Sequence, residues 1–350
     1  MATVRVGGHI TLLFSIHDDA ILPRNQGSRG AGMCLEKGVV ATIEPNGQAE
    51  PEEQGQEMAG WQRDVLEIKG KGRTEVNISS RGESFHGQTQ MYVDLIDELR
   101  NARLLPTDTH YVLTIELELP VSQGFGMSAA GLCATALACF EMTNQGSIEQ
   151  YFRISHHIER RYRGGLGDVL GLYVGGVELR TLPGSPPSPG DARSFGVQTP
   201  VLLVWKPEGS KHTSEYIDHP DWKKTITKAG DEAVNTLSEM KWDETVWPKL
   251  LQESQTFATA SKMLEEPTRR DLLESVRSVV LSHQLQASIR IRLCMLGTSC
   301  VLLPTQLNQP LTEETLSVLA SELQKHGFGI EQTSLALSRL NWEEDYMQFS

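Results

Sequence analysis

Apolar and polar residues alternate along several short stretches of the chain, with the period of strands that bury one face. The clearest stretch is 113–119, where apolar residues at the odd positions are separated by Thr114, Glu116 and Glu118. Strand-like sequence also occurs at 3–16, 33–44, 64–79, 169–182, 201–205, 288–303 and 329–339. Strands are therefore expected in both halves of the chain.

Other stretches repeat apolar residues at the spacing of an amphipathic helix. A helix is predicted from Gln88 to Asn101, with an apolar stripe made of Met91, Leu95, Ile96 and Leu99. Further helices are predicted at 128–140, 147–162, 229–240, 247–265, 269–285 and 312–326. The glycine-rich segment 18–32 is expected to be a loop, and the acidic segment 45–60 a solvent-exposed insertion.

The length of 350 residues suggests two domains, at roughly 100–200 residues per domain. Five of the sixteen prolines lie in the segment 183–200, which is the natural place for a boundary. We therefore predict domains at 1–190 and 191–350. The mixture of helices and strands predicts an α+β fold.

Charge and composition narrow the classes of partner. The net charge of −13 argues against nucleic acid and anionic membranes as partners, and an anionic ligand would need a local arginine, helix N-terminus or metal ion. The apolar run 129–140 is shorter than the ~20 residues that span a bilayer. Five scattered cysteines without a C-x-x-C pair fit a reduced cytosol, so a cytoplasmic protein is expected.

A glycine-rich loop, Pro120–Gly131, follows the strand at 113–119 and opens a helix of small residues. Glycines let backbone N–H groups approach phosphate oxygens, and the helix N-terminus adds its positive dipole end. A tight turn in which the glycines serve only packing is the alternative. Gly124, Gly126 and Ala129 also match a Rossmann fingerprint, but the helix at 147–162 occupies the place of the second strand.

Two further segments carry candidate chemistry. His156 and Glu159 lie three residues apart on one helix face, and the glycines at 164–167 could turn Asp168 back toward that face. Such carboxylates suit Mg²⁺ binding and the handling of a hydroxyl group in phosphoryl transfer, although a solvated helix with a glycine stop is the alternative. The third segment, Met295–Cys300, holds a glycine that indicates a bulge or a close backbone approach to a ligand.

In this order, the three segments resemble the three motifs of the galactokinase–homoserine kinase–mevalonate kinase (GHMP) superfamily. The loop resembles P-x-x-x-G-x-G-S-S-A-A, with Met127 in place of the first serine and Ser128 at the second. Within the superfamily the chain is similar to the archaeal pantoate kinases. This similarity rests on the segments 8–11 (GHIT), 27–32 (GSRGAG), 165–169 (GLGDV) with Gly175, Gly176, Arg180, Pro183 and Gly184 after it, and 295–297 (MLG). Gly7 stands where the family has proline.

The resemblance implies a two-domain fold, with an N-terminal domain like domain 2 of ribosomal protein S5 and a C-terminal ferredoxin-like domain, and ATP between them. It implies transfer of the ATP γ-phosphoryl group to the 4-hydroxyl of (R)-pantoate, in archaeal coenzyme A biosynthesis. Family members are often homodimers. A related kinase acting on mevalonate, homoserine or a sugar, a nucleotide-binding sensor and a dinucleotide-dependent oxidoreductase remain as alternatives.

The resemblance also implies roles for individual residues. Ser128 and Glu159 would hold Mg²⁺, and Asp168 would act on the hydroxyl group. The ATP-binding residues would be Gly124, Gly126, Met127, Ser128, Ala129 and Ala130. The pantoate-binding residues would be Ser28, His9, His156, Arg180 and Thr213. Arg180 is a candidate on charge as well, because an acidic protein must neutralise the pantoate carboxylate locally; its alternative role is a surface charge on a strand.

Overall fold

Two long antiparallel strands build the centre of the first sheet. In the computed structural model, which describes residues 1–53, 67–207 and 220–337, β1 (Ala2–His17) pairs with β2 (Gly27–Gln48) along almost its whole length. The register shifts between Gly7 and His9 and again between Thr11 and Leu13. These bulges bend the pair, and His9 emerges between them.

The remaining strands of this sheet attach to β2. Its two halves have different neighbours, β8 at Gly30–Met33 and β7 at Val39–Gln48, and the order is β6-β5-β7-β2-β8-β9, with β1 on the other side of β2. The strands are β5 (Thr74–Ser80), β6 (Glu83–Ser84), β7 (Thr109–Leu117), β8 (Val177–Leu182) and β9 (Asp191–Phe195). A separate two-stranded pair joins β3 (Pro51–Glu53) to β4 (Glu67–Lys69).

Four helices accompany the first sheet: α1 (Thr89–Asn101), α2 (Met127–Thr143), α3 (Ile148–Arg161) and α4 (Asp168–Val174). Twelve of the seventeen residues of α2 are buried, between the β1–β2 pair and α3. Its small side chains permit this close packing; a Cβ atom at Gly131 would overlap the Tyr92 hydroxyl. The packing of α2 therefore fixes the position of its N-terminus, Met127, at the end of the glycine-rich loop that begins at Pro120.

The second sheet is antiparallel in the order β11-β12-β10-β13. Its strands are β10 (Pro200–Trp205), β11 (Ile289–Cys294), β12 (Ser299–Pro304) and β13 (Gly329–Ser334), and its helices are α5 (Pro220–Ser238), α6 (Trp247–Ala260), α7 (Pro267–Ser282) and α8 (Glu313–Lys325). Helix α5 lies on β1 so closely that a Cβ atom at Gly230 would overlap the Phe14 carbonyl. One continuous apolar core therefore joins the two sheets.

The predicted helices and most strands are confirmed, but two local predictions were wrong. The segment 27–32 is part of β2 rather than a loop, and its glycines leave room for buried charged groups beside the strand. Residues 168–174 form a helix rather than a strand, because a short apolar run carries no periodicity that separates the two. Of the insertion at 45–60, residues 54–60 lie outside the described residues.

The proline-rich segment 183–200 contains β9, which pairs with β8 of the first sheet, and the second sheet begins at Pro200. The division into 1–190 and 191–350 remains a proposal, and it assigns β9 to the second domain although β9 pairs with the first sheet. Within the described ranges, no helix is long and apolar enough to cross a membrane.

Candidate active site

The three sequence segments singled out above line one cleft. Its wall is formed by the phosphate loop at Gly124–Ser128, the glycine turn at Gly164–Asp168, and Met295 and Leu296 at the turn between β11 and β12. Ser28 completes the wall from β2. The structure thus brings together residues as far apart in sequence as Ser28 and Leu296.

The phosphate loop is held in a conformation that only glycine adopts easily. Gly124 and Gly126 have φ angles of +76° and +63°, and Gly126 is the residue that precedes α2. Among the described residues no side chain caps the helix, so its first N–H groups can meet an anion in the cleft. Met127 and Ser128 line the cleft, whereas Ala129 and Ala130 are fully buried behind it.

The second half of the chain supports this loop from behind. A Cβ atom at Gly297 would overlap the Gln123 carbonyl, and one at Gly124 would lie 2.8 Å from the Met295 carbonyl oxygen. The Arg269 Nε donates to the Gly297 carbonyl at 2.9 Å. The glycine of the third segment therefore makes a close approach to the phosphate loop, rather than only a bulge.

Glu159 and Asp168 meet beneath the glycine turn. A Cβ atom at Gly165 would overlap Asp168 Oδ2 and would lie 2.9 Å from Glu159 Oε1. Both Glu159 oxygens are buried without a hydrogen-bond partner of good geometry among the described residues, although the backbone N–H groups of Gly165 and Val169 lie near enough to act against the rise in its pKa. Burial and the negative charge of Asp168 raise the pKa of Glu159 well above its usual range.

A buried carboxylate with two orphaned oxygens fits a site for a cation, because the cation would relieve the cost of ionising it. Ser128 lies in the wall of the same cleft. Within the described ranges, no group of three or more His, Cys, Asp or Glu side chains could hold a metal ion alone. The residues therefore fit an ion that takes the rest of its ligands from phosphate oxygens and water.

A buried chain of charged groups stands behind Asp168. His9 Nδ1 is 2.6 Å from Asp168 Oδ1, and His9 Nε2 is 2.9 Å from Glu178 Oε1, which also accepts a hydrogen bond from Arg180 Nη1. Burial alone would lower the pKa of His9, but its two carboxylate partners outweigh burial and raise it. Burial likewise opposes ionisation of Asp168, yet the hydrogen bond and charge of His9, with the charge of Arg180, hold its pKa below the usual range.

Arg180 is fully buried, so its alternative role as a surface charge was wrong. Its Nε and Nη2 groups have no hydrogen-bond partner among the described residues. A Cβ atom at Gly167 would overlap Ser28 Oγ and lie 2.5 Å from Arg180 Nε. The guanidinium therefore lies directly beneath the part of the cleft wall formed by Ser28 and Gly167.

Three other predicted residues are placed differently. His9 lies behind Asp168 and does not line the cleft. His156 also lies away from the cleft wall; its Nε2 is 3.3 Å from the Pro23 carbonyl, and burial lowers its pKa to about 4. Thr213 lies outside the described residues. Contact of these residues with a substrate stays a prediction.

Sequence reasoning missed Glu178. It follows Val177 in β8 and stands two residues before Arg180, so both side chains lie on one face of the strand. An acidic and a basic residue on the same face of a buried strand were the available signal. Without the fold, the same pattern is typical of an exposed strand face.

Comparisons with known proteins agree with this geometry. Residues 91–176 match the family described as GHMP kinases N terminal domain. A solved structure described as a phosphotransferase related to the coenzyme A biosynthesis pathway superposes with a TM-score of 0.69 at 22% identity, covering 96% of both chains. A mevalonate kinase structure superposes with a TM-score of 0.59 at 15% identity, covering 96% of this chain and 100% of that one.

Two curated relatives come from archaea. The pantoate kinase of Thermococcus kodakarensis is 29% identical over 240 residues, which are 66% of this chain and 68% of the relative. The pantoate kinase of Methanocaldococcus jannaschii is 33% identical over 129 residues, which are 36% of this chain and 45% of the relative. The matched regions thus span about two thirds of the first relative and less than half of the second.

The fold is that of the GHMP kinase structures, and residues 91–176, about a quarter of the chain, are similar to the N-terminal domain of the GHMP kinase superfamily. The predicted two-domain α+β fold of that superfamily is confirmed. Its members use ATP. The curated relatives to which the chain is similar are pantoate kinases.

Proposed function

We infer that this protein is a pantoate kinase, which transfers the γ-phosphoryl group of ATP to the 4-hydroxyl of (R)-pantoate. The observation that carries the choice of substrate is the buried guanidinium of Arg180, with two unpartnered donors beneath the cleft wall. A planar fork of donors suits a carboxylate, and pantoate carries a carboxylate and a hydroxyl group on one small skeleton. The pantoate kinase relatives support the same assignment.

The residues of the cleft divide the work of phosphoryl transfer. The free N–H groups at the start of α2 would hold the triphosphate, and Arg180 would hold the pantoate carboxylate. Asp168 would accept a hydrogen bond from the attacking hydroxyl and take its proton as the new bond to phosphorus forms. Its low pKa makes Asp168 a weak base, so positioning contributes more than proton abstraction, as a loose transition state permits.

We propose Ser128 and Glu159 as the residues that would hold Mg²⁺. Their support is the orphaned pair of Glu159 oxygens and the place of Ser128 in the cleft wall. When bound, the ion would neutralise charge on the phosphate oxygens. A cytoplasmic location and a homodimer remain proposals. The resemblance to the archaeal pantoate kinases supports the dimer, and the five cysteines, all of them buried thiols, suit a reducing compartment.

The deciding experiment measures ADP release with Mg²⁺ and four acceptors: (R)-pantoate, mevalonate, homoserine and galactose. We expect the highest kcat/KM with pantoate, and a phosphate monoester on its 4-hydroxyl by phosphorus NMR. Asp168→Asn serves as the catalytic control and should lower kcat by about 10²- to 10⁴-fold. A higher kcat/KM with another acceptor would refute the pantoate assignment, and no turnover with any acceptor would refute a kinase acting on this group of substrates.

A further inference from the structure

Glu178 is a buried carboxylate that the proposed reaction does not use directly. It has no exposed surface, and its Oε1 accepts hydrogen bonds from both His9 and Arg180. A buried carboxylate is costly unless it is paired with positive charge. The position must therefore supply something that an apolar residue in β8 would not.

The geometry around His9 fixes what Glu178 supplies. Each ring nitrogen of His9 lies within 3 Å of a carboxylate oxygen, Nδ1 at 2.6 Å from Asp168 and Nε2 at 2.9 Å from Glu178. An ionised carboxylate can only accept, so both nitrogens must donate, and this requires the imidazolium cation. The charges then alternate in the order Asp168, His9, Glu178 and Arg180.

Glycines allow the backbone to pack closely against these charged side chains. A Cβ atom at Gly32 would lie 2.7 Å from Glu178 Oε1, and one at Gly171 would lie 2.5 Å from His9 Nε2. A Cβ atom at Gly30 would lie 2.5 Å from Arg180 Nη2. Strand β2 and helix α4 thus pack directly on the charged groups, and the charged side chains that face His9 among the described residues are Asp168, Glu178 and Arg180.

We propose that Glu178 is a positioning residue for phosphoryl transfer, which holds His9 as a cation against Asp168 and turns the guanidinium of Arg180 toward the substrate. The proposal rests on the proposed function for its kinetic part. Because one carboxylate oxygen receives both donors, Glu178 couples the group that meets the hydroxyl to the group that meets the substrate carboxylate. Of the remaining Arg180 donors, Nε lies behind Gly167 in the cleft wall and has no hydrogen-bond partner among the described residues.

The first test needs no substrate. Nitrogen NMR of the histidine side chains, with the His9 signals identified by comparison with a His9→Asn variant, reports whether the ring is cationic. We expect an imidazolium in the wild-type protein at pH 7.5, and in Glu178→Gln a titration midpoint lower by at least about one pH unit, since loss of a neighbouring anion favours the neutral ring. A neutral His9 at pH 7.5 in the wild type, or an unmoved midpoint in the variant, would overturn the proposal.

The second test is kinetic. Glu178→Gln should lower kcat with pantoate by about 10- to 100-fold, leave the KM for ATP unchanged, and move the alkaline limb of the kcat profile to lower pH. Glu253→Gln is the matched control: Glu253 is also largely buried beside a cation, Lys249 at 2.6 Å, but lies on α6 outside the network. Near-normal kcat in Glu178→Gln with an active wild type would refute the positioning role alone.

The two tests separate the possible failures. If no acceptor is phosphorylated by the wild type, the proposed function fails, while the NMR titration still decides the charge of His9. If Glu178→Gln does not fold, Glu178→Asp keeps the negative charge and should preserve the His9 cation. A neutral His9 in that variant would overturn the proposal.

Discussion

Replacing Arg180 by lysine tests the substrate assignment with little change in charge. Arg180 donates a hydrogen bond from Nη1 to Glu178, whereas its Nε and Nη2 have no hydrogen-bond partner among the described residues. A lysine ammonium at this place would be drawn to Glu178 in the same way. The variant therefore keeps the buried ion pair and loses the fork of donors that the pantoate carboxylate would meet.

The size of the effect follows from the number of donors lost. A hydrogen bond to a charged group contributes about 1.5–3 kcal/mol, and the ammonium replaces part of one of the two. A net loss of one such bond corresponds to a decrease in kcat/KM for pantoate of about 10- to 100-fold. Arg180→Ala should add a loss of stability of about 3–5 kcal/mol, because Glu178 would lose a buried partner.

The assay is steady-state ADP release with pantoate and ATP varied in turn, together with thermal unfolding of each variant. We expect the defect in Arg180→Lys to appear in pantoate kinetics, with the KM for ATP nearly unchanged. Arg100→Lys is the control for the general cost of the exchange, because Arg100 is also buried and paired, with Asp97 at 2.9 Å, but belongs to α1 and is not part of the buried charge network behind Asp168. An equal defect toward ATP would place Arg180 at the triphosphate, and an absent defect would remove it from the site.

Three further predictions concern the cleft and its surroundings. Glu159→Gln should raise the melting temperature in the absence of Mg²⁺, because the raised pKa of Glu159 means that ionising this carboxyl destabilises the fold. The same variant should need a higher Mg²⁺ concentration for half-maximal activity. A lower melting temperature or an unchanged Mg²⁺ requirement would contradict this prediction. His156 has its pKa lowered to about 4, so the unfolded state takes up its proton first as the pH falls, and about 3 kcal/mol of stability should be lost between pH 7 and 4. Denaturation of His156→Gln should show less of this loss, and an equal loss would remove His156 as its source. Gly167→Ala should lower kcat/KM for pantoate at least about 10-fold, because its Cβ would crowd Arg180. Gly87→Ala is the control, because its Cβ would meet no atom closer than 3.5 Å. Equal kcat/KM values for the two variants would contradict the prediction.

The sequence predicted the parts of the site that depend on local pattern. The phosphate loop was recognisable because glycines after a strand and before a helix of small residues give a specific backbone shape. Glu159 and Asp168 were recognisable because helical spacing and a glycine turn limit where their side chains can point. Each of these inferences needed only neighbouring residues.

The parts that were missed depend on contacts between distant residues. Nothing near Glu178 in sequence reveals that His9, on another strand, meets it in the core. The glycines at 27–32 indicated a loop because their purpose, to make room for the charged groups of β8, exists only in the folded sheet. The secondary structure of α4 could not be predicted for a related reason. The run is short and almost wholly apolar, so its sequence does not distinguish a buried helix from a buried strand.

The support of the phosphate loop by Gly297 and Arg269 constrains how the gene can change. The phosphate loop belongs to the first half of the chain, but the residues that pack behind it belong to the second half, where Gly297 lies against Gln123. A recombination event that replaced the second half would also replace Gly297 and Arg269, which support the phosphate loop. The two halves must therefore be inherited together, and new acceptor specificities would arise by substitutions in the cleft wall rather than by exchange of halves.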